Sequence, residues 1–395
     1  MQVLDEDPVA LADSRAIREA LASARAHLGM DVAFIGEFLE GRRVFRYVDA
    51  EGSSSPVTEG GDDPLSDSYC QRVVDGRLPA VIPDATKVPA AAELPVTHRL
   101  PVGAHISVPI RTPDGRVFGT FCCFSHQPEE SLRERDANAL RILADLVAGP
   151  LARESRARAG RAQAATAVVD VITSDGLTAV YQPIVDVQRG VAVGYEALAR
   201  FPDGASPDTW FTRAASAGLG VQLEVVAIST ALPALAVLPA DTYLSVNASE
   251  EALRSEALLN ILDGVQPERV VLELTEHVVV ADVPGLLDAL APLRARGVRL
   301  AVDDTGSGYS GLRQLLDLRP DILKIDRGLT QGIDSDPARQ ALAWALSWFA
   351  GSTDATVVAE GIETEAELET LRSLGVGCGQ GYYLGRPGPL PQVAG

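Results

Sequence analysis

Residues 300–312, LAVDDTGSGYSGL, run from an apolar stretch into two adjacent carboxylates, Asp303 and Asp304, and then into a Gly- and Ser-rich turn. The pattern predicts a buried strand that ends at an open face, followed by a loop able to come close to a ligand. Neighbouring carboxylates repel one another unless a cation or a shared proton lies between them. Taken alone, the stretch also fits an ordinary Asp-Asp-x-Gly turn after a strand.

Other apolar runs in the same part of the chain repeat the theme. Side chains alternate between faces along a strand. In LAVDD, Ala301 and Asp303 share one face while Leu300 and Val302 take the other. In LELTE, Glu273 opposes Leu272 and Leu274; in LSVN, Asn247 follows Ser245 on the face away from Leu244 and Val246. In ILKID, Lys324 and Asp326 oppose Leu323 and Ile325, and in VVAEG, Glu360 opposes the phase of Val357. With Glu196 in YEALAR, these residues put one polar group near the C-terminal end of each run, where barrel enzymes carry their chemistry. Metal ligands drawn from this set would be oxygen donors, which suit Mg²⁺ or Mn²⁺ better than zinc. Two such ions about 4 Å apart suit phosphodiester cleavage, because together they neutralise the phosphate and activate water. Asp304 falls at the strand tip, where the following loop can turn it back toward a second ion.

The runs themselves are AVYQPIVD, VGYEALAR, YLSVNAS, VVLELTE, VRLAVDD, ILKIDR, TVVAEGI and GQGYYLG, alternating with helical stretches across 170–395. This order predicts a (β/α)8-type barrel, with room for an additional helix between the second and third runs. Residues 1–150 read differently. A helix over 10–28 is followed by DVAFIGEFLEGRRVFRYVDA, a hairpin signal, and by a polar loop over 51–67. SYCQRVVDGRLPAVIPDA predicts a short helix leading into a strand, and HISVPIRTPDGRVFGTFCCFS a hairpin around Pro-Asp-Gly. A closing amphipathic helix carries Leu140, Leu143, Val147 and Leu151 on one stripe. Together these elements form a small α+β domain of the sensor kind. Residues 151–169 are Ala- and Arg-rich, a helical linker that is either simply solvated or a signalling helix paired in a dimer. Gly149-Pro150 is expected to end or kink the helix there.

Composition narrows the partners. Acidic residues outnumber Lys plus Arg by 54 to 34, for a net charge of −20, which argues against nucleic acid and anionic membranes. A phosphorylated substrate would therefore need a local cation. The four cysteines show no CxxC pairing or metal-ligand spacing and are expected to be reduced, as in a cytoplasmic protein; core packing is expected for Cys122 and Cys123, and a structural role for Cys70. Five scattered histidines offer no His-based zinc motif, and neither a leader pattern nor a membrane-spanning run is expected.

Two resemblances emerge from these motifs. PLSDSYCQRVVDGRLP, ISVPIRTPDGRVFGTFCCFS and RERDANALRILADLVA resemble a GAF domain, which implies a sensor for an unspecified small-molecule or redox signal. Glu196-Ala197-Leu198 followed by Ala199-Arg200, with YQPIVD, LSVN, ELTE, DDxGxGYS, LKID, VAEGIE and QGYYLGRP in order, resembles the EAL-domain cyclic di-GMP phosphodiesterases. That resemblance implies a barrel with one reversed strand that hydrolyses cyclic di-GMP to linear pGpG, as a homodimer and with two Mg²⁺ or Mn²⁺ ions. By the same resemblance Glu196, Asn247, Glu273 and Asp303 would hold one ion, and Asp304, Asp303 and Asp326 the other. Lys324 would contact the attacking water or the phosphate, and Glu360 would be the general base. Gln182, Arg200 and Gln380 would orient the dinucleotide or the metal shell, with Glu276 and Glu363 as supports behind them.

The sequence departs from the family pattern at Thr305, usually Phe, at Gly311, usually Ser, and in FTRAASAGLG, which is one residue short and lacks a Glu. These changes bear on loop behaviour and substrate affinity. A catalytically silent cyclic di-GMP receptor is the alternative, but such receptors typically lose a metal ligand or the base, and each is present here. An unrelated metal-dependent barrel lyase is a third reading, which the ordered motifs disfavour. The sequence contains no GGDEF-like motif for synthesis of the dinucleotide.

Overall fold

The computed structural model describes residues 8–50, 55, 57–174, 176–274, 282–305 and 316–390, with 304 and 305 described by their backbone alone. The chain divides into two units, Met1–Gly160 and Arg161–Gly395.

The first unit is an antiparallel sheet of β1 (Val32–Leu39), β2 (Arg42–Ala50), β3 (Asp62–Pro64), β4 (Val81–Ile82), β5 (Ala104–Arg111) and β6 (Val117–Ser125), in the order β3-β2-β1-β6-β5-β4. Glu40 and Gly41 close the first hairpin with φ of 49° and 77°, the left-handed pair that matches strand twist. One face of the sheet packs against helix α1 (Pro8–Leu28), through Ile17 and Leu21, and against the stripe Leu140, Val147 and Leu151. The other face is covered by helix α2 (Tyr69–Val74) and the segments after it, around Phe34, Tyr69, Cys70 and Cys122. Cys122 and Cys123 are buried on opposite faces, as strand alternation requires.

The closing helix runs unbroken from Glu134 to Thr173, so the expected interruption at Gly149-Pro150 does not end it. Proline there cannot donate to the carbonyl of residue 146, and Leu146 is 65% exposed, so this turn of the helix faces solvent. Local helix propensity on both sides carries the helix through.

In the second unit a closed barrel forms from β7 (Thr178–Asp186), β8 (Val191–Arg200), β9 (Tyr243–Ala248), β10 (Val270–Leu274), β11 (Arg299–Thr305), β12 (Ile322–Ile325), β13 (Thr356–Ala359) and β14 (Cys378–Gly379). β7 is antiparallel to both neighbours and every other pair is parallel, which makes it the reversed strand. The long gap after β8 holds two helices, Pro207–Ser216 and Gly220–Ala231. The last strand is shorter than GQGYYLG suggests. Gly381 passes so close to Ile362 that a Cβ would lie 2.2 Å from its carbonyl oxygen, and the chain then turns, with Leu384 N donating to Gly381 O. Among the described residues no helix is long and apolar enough to cross a membrane.

Candidate active site

Alternation along the barrel strands sorts their side chains into two layers. Leu244, Val246, Leu272, Leu300, Val302 and Leu323 pack outward against the helices. Tyr243, Val271, Ala301, Ile322 and Val358 fill the barrel interior together with Ile184. One step further along the same inward face come Ser245, Glu273, Asp303, Lys324 and Glu360. Ladder register aligns them: Glu196 pairs with Ser245, Asn247 with Glu273, and Glu273 with Ala301. The β11–β12 ladder shifts register between Val302 and Thr305, so the bulge falls at the two aspartates and re-aims the strand end.

Lys324 is the centre of this layer, 1% exposed. Its Nζ lies 2.6 Å from Glu273 Oε2, 2.5 Å from Glu360 Oε1, and 3.6 Å from both Glu196 Oε2 and Asp303 Oδ1. Four carboxylates thus converge on one ammonium in a largely buried site. Amides complete the ring. Asn247 Nδ2 donates to Glu196 Oε1 at 3.2 Å, and Gln380 Nε2 donates to Glu196 Oε2 at 2.7 Å and to Gln182 Oε1 at 3.0 Å. Gln182 in turn donates to the carbonyl of Gly385. Among the described residues the buried Oε1 of Gln380 finds no hydrogen-bond partner.

The charges respond to this crowding. Burial, then Glu196 and the other carboxylates, push Glu273 up to about 8 against the pull of Lys324. Burial likewise raises Glu360 to about 7; Lys324 opposes the rise, and Asp303 and Glu196 add to it. Burial also acts on Glu196, but Lys324, Gln380 and Asn247 hold it below the ordinary range. Lys324 itself is held well above its usual value, since its carboxylates outweigh the cost of burial. One ammonium cannot balance four carboxylates, and the raised pair records the surplus. A hard divalent cation fits such an oxygen-rich set, and the orphaned Gln380 oxygen adds an acceptor beside it. Beside the ring a cavity of about 590 Å³ opens, lined by Glu196, Asn247, Asp303, Phe211 and Glu224 among others. A second cavity, about 400 Å³ around Tyr243, Arg299 and Cys378, lacks the converging carboxylates.

A family model described as EAL domain matches residues 163–387. The chain belongs to the EAL domain family. A GAF domain model matches residues 14–151. Among curated proteins, the chain is 32% identical to the bifunctional diguanylate cyclase/cyclic di-GMP phosphodiesterase MucR of Pseudomonas aeruginosa, over 54% of this chain and 33% of that protein. Among solved structures it resembles the PaMucR phosphodiesterase in its c-di-GMP complex, at 33% identity and TM-score 0.50, covering 54% of this chain and 93% of that one. Klebsiella pneumoniae BlrP1 in a manganese/cy-diGMP complex matches at 30% identity and TM-score 0.50, over 55% of this chain and 57% of that one; a calcium complex of the same protein matches similarly. The chain spans about a third of the length of the first curated relatives it matches.

Within the EAL domain, the structure brings together Glu196, Asn247, Glu273, Asp303, Lys324, Glu360, Gln182 and Gln380. Other expected site residues make their hydrogen bonds outside this ring. Arg200 keeps the phase of Glu196 but is exposed at the end of β8, donating to the carbonyl of Ala199. Asp326 sits beyond β12, where its Oδ2 caps the next turn by accepting from Gly328 N at 2.9 Å. Glu363 pairs with Arg327 at 2.8 Å on the surface. The side chain of Asp304, that of Thr305, and all of Glu276 and Gly311 lie outside the described residues. Two contributors escaped the sequence reading. Ser245 donates to Glu273 Oε1, and its place on the face of Asn247 was the available signal. Glu224, on a helix outside the strand pattern, accepts from Ser249 N at 2.7 Å at the cavity wall.

Proposed function

We propose that this chain hydrolyses cyclic di-GMP to linear pGpG in bacterial second-messenger signalling, as a homodimer with two Mg²⁺ or Mn²⁺ ions and with the GAF domain as its regulator. The observation that carries the reading is the convergence of Glu196, Glu273, Asp303 and Glu360 on the single ammonium of Lys324. Such a surplus of negative charge suits divalent cations, and through them a dianionic substrate that a chain of net charge −20 would repel. Glu196, Asn247, Glu273 and Asp303 would hold one ion; Asp304, Asp303 and Asp326 would hold the other. When bound, the ions supply charge neutralisation at the phosphate and make water more acidic.

The remaining roles belong to the side chains. Glu360 accepts the proton of the attacking water as the water oxygen bonds to phosphorus. Lys324 donates a hydrogen bond to that water or to a phosphate oxygen. The bond from phosphorus to the ribose 3′ oxygen breaks, that oxygen takes a proton from solvent to become the 3′ hydroxyl, and the 5′ phosphate stays on the linear product. Gln182, Gln380 and Arg200 orient the dinucleotide and the groups around it, while Glu276 and Glu363 support them.

The test is incubation of the full-length protein with cyclic di-GMP, with Mg²⁺ or Mn²⁺, and chromatographic separation of products. Linear pGpG that requires the ion is the expected result. Ca²⁺ should inhibit, because it favours more numerous, longer and less rigid oxygen contacts. Binding without turnover would instead identify a silent receptor.

A further inference from the structure

In the first unit, Cys70, His105 and Cys122 meet between α2 and the sheet. They come from three elements, α2, β5 and β6. Ser107 is the ladder partner of Cys122 and His105 that of Phe124, so His105, Ser107 and Cys122 share one face of the sheet. Each of the three groups offers a ligand atom within 4.8 Å of the others. Both thiols are fully buried and His105 is 3% exposed.

Cys70 Sγ lies 3.0 Å from Cys122 Sγ, which also reaches Thr120 Oγ1 at 3.1 Å, and Arg43 Nη1 donates to Cys70 Sγ at 2.9 Å. Among the described residues neither ring nitrogen of His105 makes a well-formed hydrogen bond, although the ring lies beside the Cys70 sulfur and is held against Tyr69 at 4.6 Å between ring centres. Among the described residues the buried hydroxyl of Ser107 is also without a partner. Buried polar atoms are rarely left unpaired, and leaving one so costs about 1–3 kcal/mol.

We propose that Cys70, Cys122 and His105 form a binding site for a thiophilic divalent cation, Zn²⁺. The donor set of two sulfurs and one imidazole is the one zinc prefers. Zn–S bonds of about 2.3 Å place tetrahedral sulfurs about 3.8 Å apart, so the pair need open by only about 0.8 Å. Two thiolates and one Zn²⁺ are neutral together. Arg43 does not upset this balance, because Asp63 neutralises it through two hydrogen bonds. Ser107 is the polar group on the same face available to a water in the fourth position. A simple dithiol switch would leave His105 unexplained.

The test uses reduced, metal-stripped full-length protein and Co²⁺ as the probe. About one equivalent per chain should give thiolate-to-cobalt charge transfer in the near ultraviolet and the strong visible bands of a tetrahedral site, both lost on adding Zn²⁺. The oxygen-lined EAL cluster gives no such charge transfer, so the readout is independent of turnover. Cys70→Ser, Cys122→Ser and His105→Asn should each weaken or abolish the signal, and Cys378→Ser should keep it. Should those variants fail to fold, Zn²⁺ on the wild-type chain should slow the reaction of Cys70 and Cys122 with N-ethylmaleimide relative to the metal-free chain, as read by peptide mass over time. Absence of the charge-transfer band, its persistence in Cys70→Ser, or unprotected thiols would overturn the assignment. A Cys70–Cys122 disulfide in protein that binds no cobalt once reduced would overturn it in favour of a dithiol.

Discussion

Nζ of Lys324 stands 2.5 Å from Oε1 of Glu360, with the carboxylate raised to about 7 by burial even against that ammonium. A base poised near neutral pH accepts a proton in the transition state and returns it readily afterwards. Glu360→Gln keeps the size of the side chain and removes the acceptor. Turnover of cyclic di-GMP should fall by about 10²–10⁴-fold, while substrate affinity changes little. Product chromatography and calorimetric binding would check both halves, and full activity would remove Glu360 from the role of base.

Lys324 balances the carboxylates from the centre of the ring. Lys324→Met keeps the length of the stem but leaves buried anions without their cation, which typically costs about 3–5 kcal/mol. The metal-free variant should melt well below the parent, and Mn²⁺ should restore part of the difference. Equal melting temperatures without metal would show that the ammonium is not the main counterion.

The raised carboxylates make the metal-free protein pH-dependent. Glu273 moves from 4.5 to about 8 and Glu360 from 4.5 to about 7 on folding. The folded chain therefore holds protons that the unfolded chain releases, and stability contributed by these groups declines as pH rises from about 4.5 to 8. Binding of a divalent cation should expel the same protons, so its affinity should rise across that window. Thermal melts at several pH values, and calorimetry in buffers of different ionisation enthalpy, measure the two effects. A flat melting profile with no proton release would contradict this account.

Removal of the GAF domain has an optimal cut. Val168 and Val171, near the end of the long helix, pack with Leu177, Phe201, Trp210 and Leu223. A barrel beginning at residue 161 keeps that cluster. One beginning at residue 170 exposes the site of Val168, losing about 1.5–3 kcal/mol of burial. The first should remain a metal-dependent phosphodiesterase with an altered rate and weaker dimerisation, and the second should melt lower. Identical rates and association states for the full chain and residues 161–395, by turnover and light scattering, would leave regulation by the GAF domain without support.

Much of the barrel was legible because strand periodicity is local. Leu272-Glu273-Leu274 and Leu323-Lys324-Ile325 declare by alternation which side chain faces inward, and the inward positions carry the site. Resemblance to the EAL family implied one reversed strand without saying which; the ladders assign the reversal to β7. Local rules failed where context outweighed them. Gly149-Pro150 was expected to end or kink the helix, and the helix does not end there.

Only the tertiary structure decided which inward faces meet and what lies between them. Barrel closure, not spacing along the chain, puts Lys324 among Glu196, Glu273, Asp303 and Glu360, and burial there raises Glu273 and Glu360. Asp326 has the same phase as Lys324, yet the strand ends before it and its carboxylate caps the next turn. Cys70 and Cys122 are 52 residues apart and match no sequence motif, but ladder pairing and the docking of α2 bring their sulfurs to 3.0 Å. Alternation is a property of neighbouring residues, whereas proximity between elements depends on pairing and packing across the whole chain.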